Sequence, residues 1–252
     1  MEVVMRLRRF YPVISIVGGI ALWWVLALLP RFSKVLPTPM AVVQTVPQQI
    51  HAGLWMNIGM SLMRVGIGFA IALVAAVPVG FLMGWYRWAR GIFEPWIQFF
   101  RTVPPIALIP MVIIILGIGE SAKIFVIWIA AFLTIVISVY QGVKNVDVTL
   151  LKAAKVLGAN DWNLFFDVVI PASFPYILVG VRLGLASAWS TLVAAELIAS
   201  QHGLGSMIEQ AQQYYQVSVI VMGIFIIGVI GFLMDRGVLW MERRLTRWQE
   251  TM

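Results

Sequence analysis

Uncharged apolar runs alternate with short polar segments along most of the chain. They extend over 10–30, 65–86, 102–119, 124–143 and 210–234, and each is about the length needed to cross a hydrocarbon core of roughly 30 Å. A further apolar stretch, 171–199, is long enough but is interrupted by Arg182 and Glu196. The pattern predicts about six transmembrane helices, and so an all-α integral membrane protein forming a single domain over 1–252. One polar segment, 147–171, stands apart between two strongly apolar runs. Within it Asp147 is placed to cap a short helix, Gly158 suits the left-handed turn that ends it, Asn160 is placed to cap a second helix, and Pro171 bounds that one. Trp162, Phe165, Phe166 and Val169 fall at i, i+3, i+4 and i+7, which gives the second helix an apolar face. Either that face lies in the lipid headgroups, or a protein outside the membrane grips the hairpin.

Composition agrees with the pattern. With 61% hydrophobic and 12% charged residues over 252 positions and a mean hydropathy of +0.93, a soluble core could not hide the apolar surface. The first run follows Arg6, Arg8 and Arg9 as a secretory signal would. It is longer than a signal's apolar region, however, and the Ala27–Pro30 stretch offers no small-x-small cleavage site, so it is read as a retained helix. The chain has no cysteine, which removes disulfides, thiolate catalysis and cysteine metal sites.

The net charge of +7 is explained by topology. With the N-terminus inside, six spans place Arg6, Arg8, Arg9, Arg87, Arg90, Lys144, Lys152, Lys155, Arg236, Arg243, Arg244 and Arg247 on the inner side, and only Arg31, Lys34, Arg64 and Lys123 outside. Arg101 and Arg182 fall at or within the membrane. This positive-inside bias assigns both termini and the hairpin to the cytoplasm, and nucleic acid is not needed to account for the charge. Trp85, Tyr86, Trp88, Trp240 and Trp248 gather at the predicted inner ends, as an interfacial aromatic belt would.

Inside the spans, Gly66, Gly68, Gly80 and Gly84 give the second run small-residue faces suited to close helix packing. Pro104, Pro105 and Pro110 cannot all sit in an unbroken helix without losing backbone bonds, so a kinked or re-entrant start to the third span is expected. Arg182 and Glu196 are 14 residues apart, on nearly one face but about 21 Å apart along a helix axis, too far to pair. Arg182 lies too deep to snorkel easily and should face protein or a water-filled path, with Leu185, Ala186, Trp189 and Val193 sharing its face. Each charge is either neutralised by a neighbouring helix, locking the bundle, or serves a translocation pathway. His51 and His202 are isolated, so no metal site is expected. No G-x-x-x-x-G-K-[ST] loop occurs, so the chain has no such means to hold ATP. A stand-alone secondary transporter would want coupling residues and internal repeats that are not evident, and a membrane enzyme would want a cluster of catalytic polar groups.

The hairpin carries a resemblance. Ala153-Ala154, three residues, Gly158, nine residues, then Val168-Val169-Ile170-Pro171 resembles the "EAA" signature of the membrane subunits of binding-protein-dependent ABC importers. Lys152 stands where the signature has Glu and reverses its charge, while Val168 and Ile170 replace Ile and Leu. Arg101-Thr102-Val103-Pro104-Pro105, and the run Trp189 to Ala199 followed by Gly203-Leu204-Gly205, are similar to segments of the branch that imports taurine, other sulfonates, nitrate and bicarbonate. The resemblance implies a type I importer permease fold, with Lys152, Ala153, Ala154, Gly158, Asn160, Asp161 and Pro171 coupling to a cytoplasmic ATPase dimer that binds ATP and Mg. It further implies a 200–216 outer loop meeting an extracytoplasmic substrate-binding protein, with Gly203 and Gly205 as mobile gate positions, and a pathway including Arg182, Trp189, Ser190 and Glu196. A second copy of the chain, the bacterial inner membrane with its lipid, and taurine or another sulfonate as cargo complete the expectation. Nitrate, bicarbonate or a thiamine-precursor-like solute is the alternative cargo, and no cofactor belongs to this chain itself.

Overall fold

Small residues set the centre of the fold. The structure, a computed structural model, describes residues 11–32 and 35–246. Helix Leu54–Trp85 lies along helix Glu120–Lys144 because glycines let side chains of the second pack directly on the backbone of the first. A Cβ at Gly80 would stand 2.6 Å from Val139, one at Gly84 2.4 Å from Val143, and one at Gly68 2.8 Å from Ile127. On the opposite side, Gly180 and Gly184 of helix Ile170–Ala199 admit Ser138 and Ile135 equally closely. Lipid offers no hydrophobic drive between helices, so such backbone approach is a main source of their association. Glu120–Lys144 is therefore the middle element, with Ile127, Ile135, Val136 and Val139 fully buried. The expected small-residue faces are present, except that Gly66 meets open space.

Among the described residues, four helical stretches are long and apolar enough to cross a membrane: Leu54–Trp85, Glu120–Lys144, Asp161–Ile198 and Val217–Leu245. Helices Arg87–Thr102 and Pro105–Leu116 make a fifth span only as a pair, bent by 102°. The bend falls where the prolines predict a break, with Val103 and Pro104 leaving helical geometry between them. The first run is helical over Tyr11–Leu28. Its apolar part, Val13–Leu28, is about 24 Å of helix, short of a hydrocarbon core of roughly 30 Å. Trp23 holds this helix in place by donating to the Pro37 carbonyl at 3.0 Å and stacking on Phe225. Arg6, Arg8, Arg9, Lys34, Arg247 and Trp248 lie outside the described residues.

Three boundaries differ from the sequence expectation. The second span begins at Leu54, so Arg64 sits inside a helix and is buried, and Lys123 is buried as well. Neither occupies the outer loop expected of it, because paired charges do not interrupt a span as free ones do. The last span begins at Val217, and a separate helix, Leu204–Gln213, occupies the outer loop. Finally, Pro171 does not bound the second hairpin helix. The chain is helical from Asp161, widens into a π-helical stretch at Leu164–Val169, and continues as Ile170–Ala199. The Ile170 amide bonds back to the Phe165 carbonyl, five residues away, and this wider winding carries the helix into a proline that a regular α-turn would have opposed.

Candidate functional site

The hairpin is built as its caps direct. Asp147 accepts the Thr149 amide at 2.7 Å and so begins helix Val148–Val156. That bond holds the Asp147 carboxyl below its ordinary value, with the Thr149 hydroxyl adding to the effect. Gly158 then turns the chain at φ +89°. The Gly158 amide bonds to the Lys155 carbonyl and the Ala159 amide to that of Ala154, each at 3.0 Å, the two closures of a Schellman stop. Asn160 accepts the Asn163 amide at 2.8 Å and restarts the helix. No residue of Val148–Val156 is buried; Lys152, Ala153, Asn160, Asp161 and Pro171 are exposed and Ala154 is half-buried. The tip presents apolar side chains to the outside, Val156 at 88% and Leu157 at 87% exposure, with Trp162 beside them.

The apolar face of 161–170 does not act as one surface. Phe165 turns inward, edge-on to Phe81 and Trp85 at 5.6 and 5.3 Å, and Leu164 and Val169 are buried. Trp162 and Phe166 remain exposed and pack on each other at 4.4 Å. The hairpin base is thus anchored to the second span while its tip stays free.

The two charges of helix Ile170–Ala199 have separate fates. Glu196 is fully buried at the end away from the hairpin. Ser61 donates to both its oxygens at 2.8 and 2.9 Å, the Gly205 amide donates to Oε2 at 2.9 Å, and Arg64 pairs with Oε1. Arg64 also donates to the His202 carbonyl and to Glu120, which Lys123 approaches at 2.9 Å. Every oxygen of Glu196 is therefore answered, the condition on which a buried carboxylate is tolerable. This network ties three spans to the start of the 200–216 loop. Gly203 and Gly205, the expected gate positions, are buried beneath it. A Cβ at Gly203 would stand 2.4 Å from Glu196 and one at Gly205 2.7 Å from it, so both glycines serve close approach. Gly203 also requires its φ of +142°.

Arg182 lies 14 residues back along the same helix, paired with Asp235 of Val217–Leu245, Nη2 to Oδ2 at 3.0 Å. With Trp189 and Ser190 it lines a cavity of about 230 Å³. The Trp189 indole N–H is spent on the Ile227 carbonyl at 3.2 Å. Of the four residues expected on a pathway, the structure brings Arg182, Trp189 and Ser190 together and sets Glu196 apart. Sequence reasoning passed over Ser61, Glu120 and Asp235. Asp235 stands directly after the uncharged run ending at Met234, yet Val238, Leu239 and Trp240 follow it; apolar residues resuming beyond a charge were the signal that it lies within a span.

Comparison with known proteins gives a consistent picture. Residues 68–247 match the family described as "Binding-protein-dependent transport system inner membrane component". A "Probable ABC transporter permease protein" of Brucella abortus (strain 2308) is 51% identical over 94% of this chain and 94% of its own. The taurine transport system permease protein TauC of Escherichia coli (strain K12) is 39% identical over 91% of this chain and 86% of its own, and a putative aliphatic sulfonates transport permease protein SsuC of Bacillus subtilis (strain 168) is 36% identical over 92% and 85%. Among solved structures, an inward-facing MetNI methionine ABC transporter superposes with a TM-score of 0.65 at 19% identity, covering 77% of this chain and 96% of that one.

Proposed function

Because the chain belongs to the family of binding-protein-dependent transport system inner membrane components, we propose that it is the permease subunit that moves taurine or another sulfonate into the cytoplasm, driven by ATP hydrolysed on a partner subunit. It is an inner-membrane, multi-pass ABC importer permease of the branch that includes taurine, sulfonate and nitrate permeases, with the type I fold. The observation that carries the coupling half of the proposal is the exposed hairpin tip. Val156, Leu157 and Trp162 are largely exposed, and they stand where the signature expects an ATPase to dock. Exposed apolar side chains gathered on one short polar hairpin suit a protein contact.

In this reading two copies of the chain related by a two-fold axis enclose the path. A cytoplasmic ATPase dimer holds ATP and Mg and grips the hairpins through Lys152, Ala153, Ala154, Gly158, Asn160, Asp161 and Pro171. An extracytoplasmic binding protein delivers substrate at the 200–216 side, where Gly203 and Gly205 seat the loop, and both termini are cytoplasmic. ATP binding draws the hairpins together and the bundles reorient, passing the anion by Arg182. Sulfonate cargo is supported by the names of the relatives and by the mid-span Arg182. A nitrate import permease protein at 31% identity keeps nitrate as the second reading.

The test is reconstitution of the chain with an ATPase and a taurine-binding protein in liposomes. ATP-dependent entry of labelled taurine is the expected result. Entry of nitrate without taurine would assign the second reading, and entry of taurine without ATP would remove the coupled mechanism.

A further inference from the structure

Arg182 and Asp235 differ from the pair of Arg64 with Glu196 in one respect that bears on their use. Arg64 and Glu196 are 1% and 0% exposed, whereas Arg182 and Asp235 keep 43% and 37% of their side chains accessible. Both lie well inside helices that cross the membrane. A half-open ion pair inside a span is not stable against hydrocarbon, so water or protein faces it. The cavity in front of it, about 230 Å³, is smaller than the roughly 300–1,000 Å³ of sites for drug-sized ligands. Its other walls are apolar: Leu185, Met234 and the ring of Trp189, whose only donor is already used. Ser190 donates to the Ser187 carbonyl at 3.2 Å, which leaves its oxygen able to accept.

The charges set out in this cavity are thus a guanidinium fork and a carboxylate side by side. A monoanion entering it takes the fork and strands Asp235 unpaired inside the membrane. A small zwitterion does not. Its anionic head replaces Asp235 on Arg182, its ammonium replaces Arg182 on Asp235, and every charge stays paired before, during and after exchange. We propose that Arg182 and Asp235 form a subsite of the translocation path selective for zwitterionic aminosulfonates, with Asp235 as the residue that recognises the amine. This rests on the permease reading above and narrows its substrate class, separating an aminosulfonate from a plain alkylsulfonate or nitrate.

The experiment compares ATP-driven uptake of 2-aminoethanesulfonate and ethanesulfonate by the reconstituted complex, each with the binding protein saturated. The binding protein's own preference is then common to all variants and cancels. Asp235→Asn is expected to lower the aminosulfonate-to-ethanesulfonate uptake ratio at least tenfold while ethanesulfonate entry holds, and Arg182→Gln to lower both. An unchanged ratio in an Asp235→Asn complex that still assembles with its ATPase overturns the subsite. If Asp235→Asn does not assemble, the neutral double variant, Arg182→Gln with Asp235→Asn, which removes both charges together, decides. Restored assembly with the wild-type ratio makes the pair a structural lock and removes the proposal; restored assembly with a lowered ratio upholds it. Failure of the wild-type complex to take up either sulfonate removes the permease substrate reading, and the subsite with it.

Discussion

Gly158 holds φ +89° with no atom within 4 Å of where a Cβ would be, so substitution there acts through the backbone alone. Gly158→Val is expected to cost about 1–2 kcal/mol locally and to misdirect the hairpin tip. ATPase activity stimulated by loaded binding protein should fall while membrane insertion persists; full stimulation would remove the docking role. Asp147 makes a pH-dependent contribution to the same hairpin. Its carboxyl is held below the usual aspartate value by the Thr149 amide, so the cap is complete above that usual value and is lost as pH falls through the depressed one. Exchange protection of the Thr149 amide should follow that course, and Asp147→Asn should flatten it. At the opposite end, Arg64→Met leaves Glu196 buried with its cation gone and should cost about 3–5 kcal/mol. The double replacement Arg64→Met with Glu196→Leu should cost less than the single one, measured by thermal unfolding in detergent.

Between helices, contact distance rather than composition decides which glycines matter. Gly84→Ala would press a methyl into Val143, whereas Gly66→Ala meets nothing. The first should lower the thermal midpoint of the detergent-solubilised chain. The second should be neutral, or should stabilise by up to about 1 kcal/mol through helix propensity. The contrast also shows what could be read beforehand. Helix caps at Asp147 and Asn160, the turn at Gly158 and the break at Pro104–Pro105 are local chemistry, and the chain spells them out. The end of a span at a charge is not local, because Arg64 and Asp235 stay within helices only through partners on other helices, Glu196 and Arg182. The unbroken passage through Pro171 depends likewise on π-helical winding, which sequence periodicity does not reveal. The pairing of Arg182 with Asp235, 53 residues apart, is tertiary, so the cavity they line was half visible: Arg182, Trp189 and Ser190 were in view and Asp235 was not.

For the whole molecule, the hairpin and the 200–204 segment stand at opposite ends of the bundle, since helix Asp161–Ile198 runs from one to the other. A cysteine placed at Gln201 in this cysteine-free chain should react with an impermeant thiol reagent applied outside sealed cells, and one at Asn160 should not. The reverse pattern would invert the orientation, and equal labelling of both would remove it.

That same helix has a mechanical consequence. Its 38 residues make a rod of about 57 Å with no loop along its length; the π-helical stretch and Pro175 interrupt its regular winding, both near the hairpin end. A force applied beneath the hairpin would therefore reach Glu196, and the loop fastened to it, without an intervening loop. If such a rod pivots near its middle by about 10°, its two ends travel about 5 Å in opposite senses. Opening on one face and closing on the other would then be a single lever stroke.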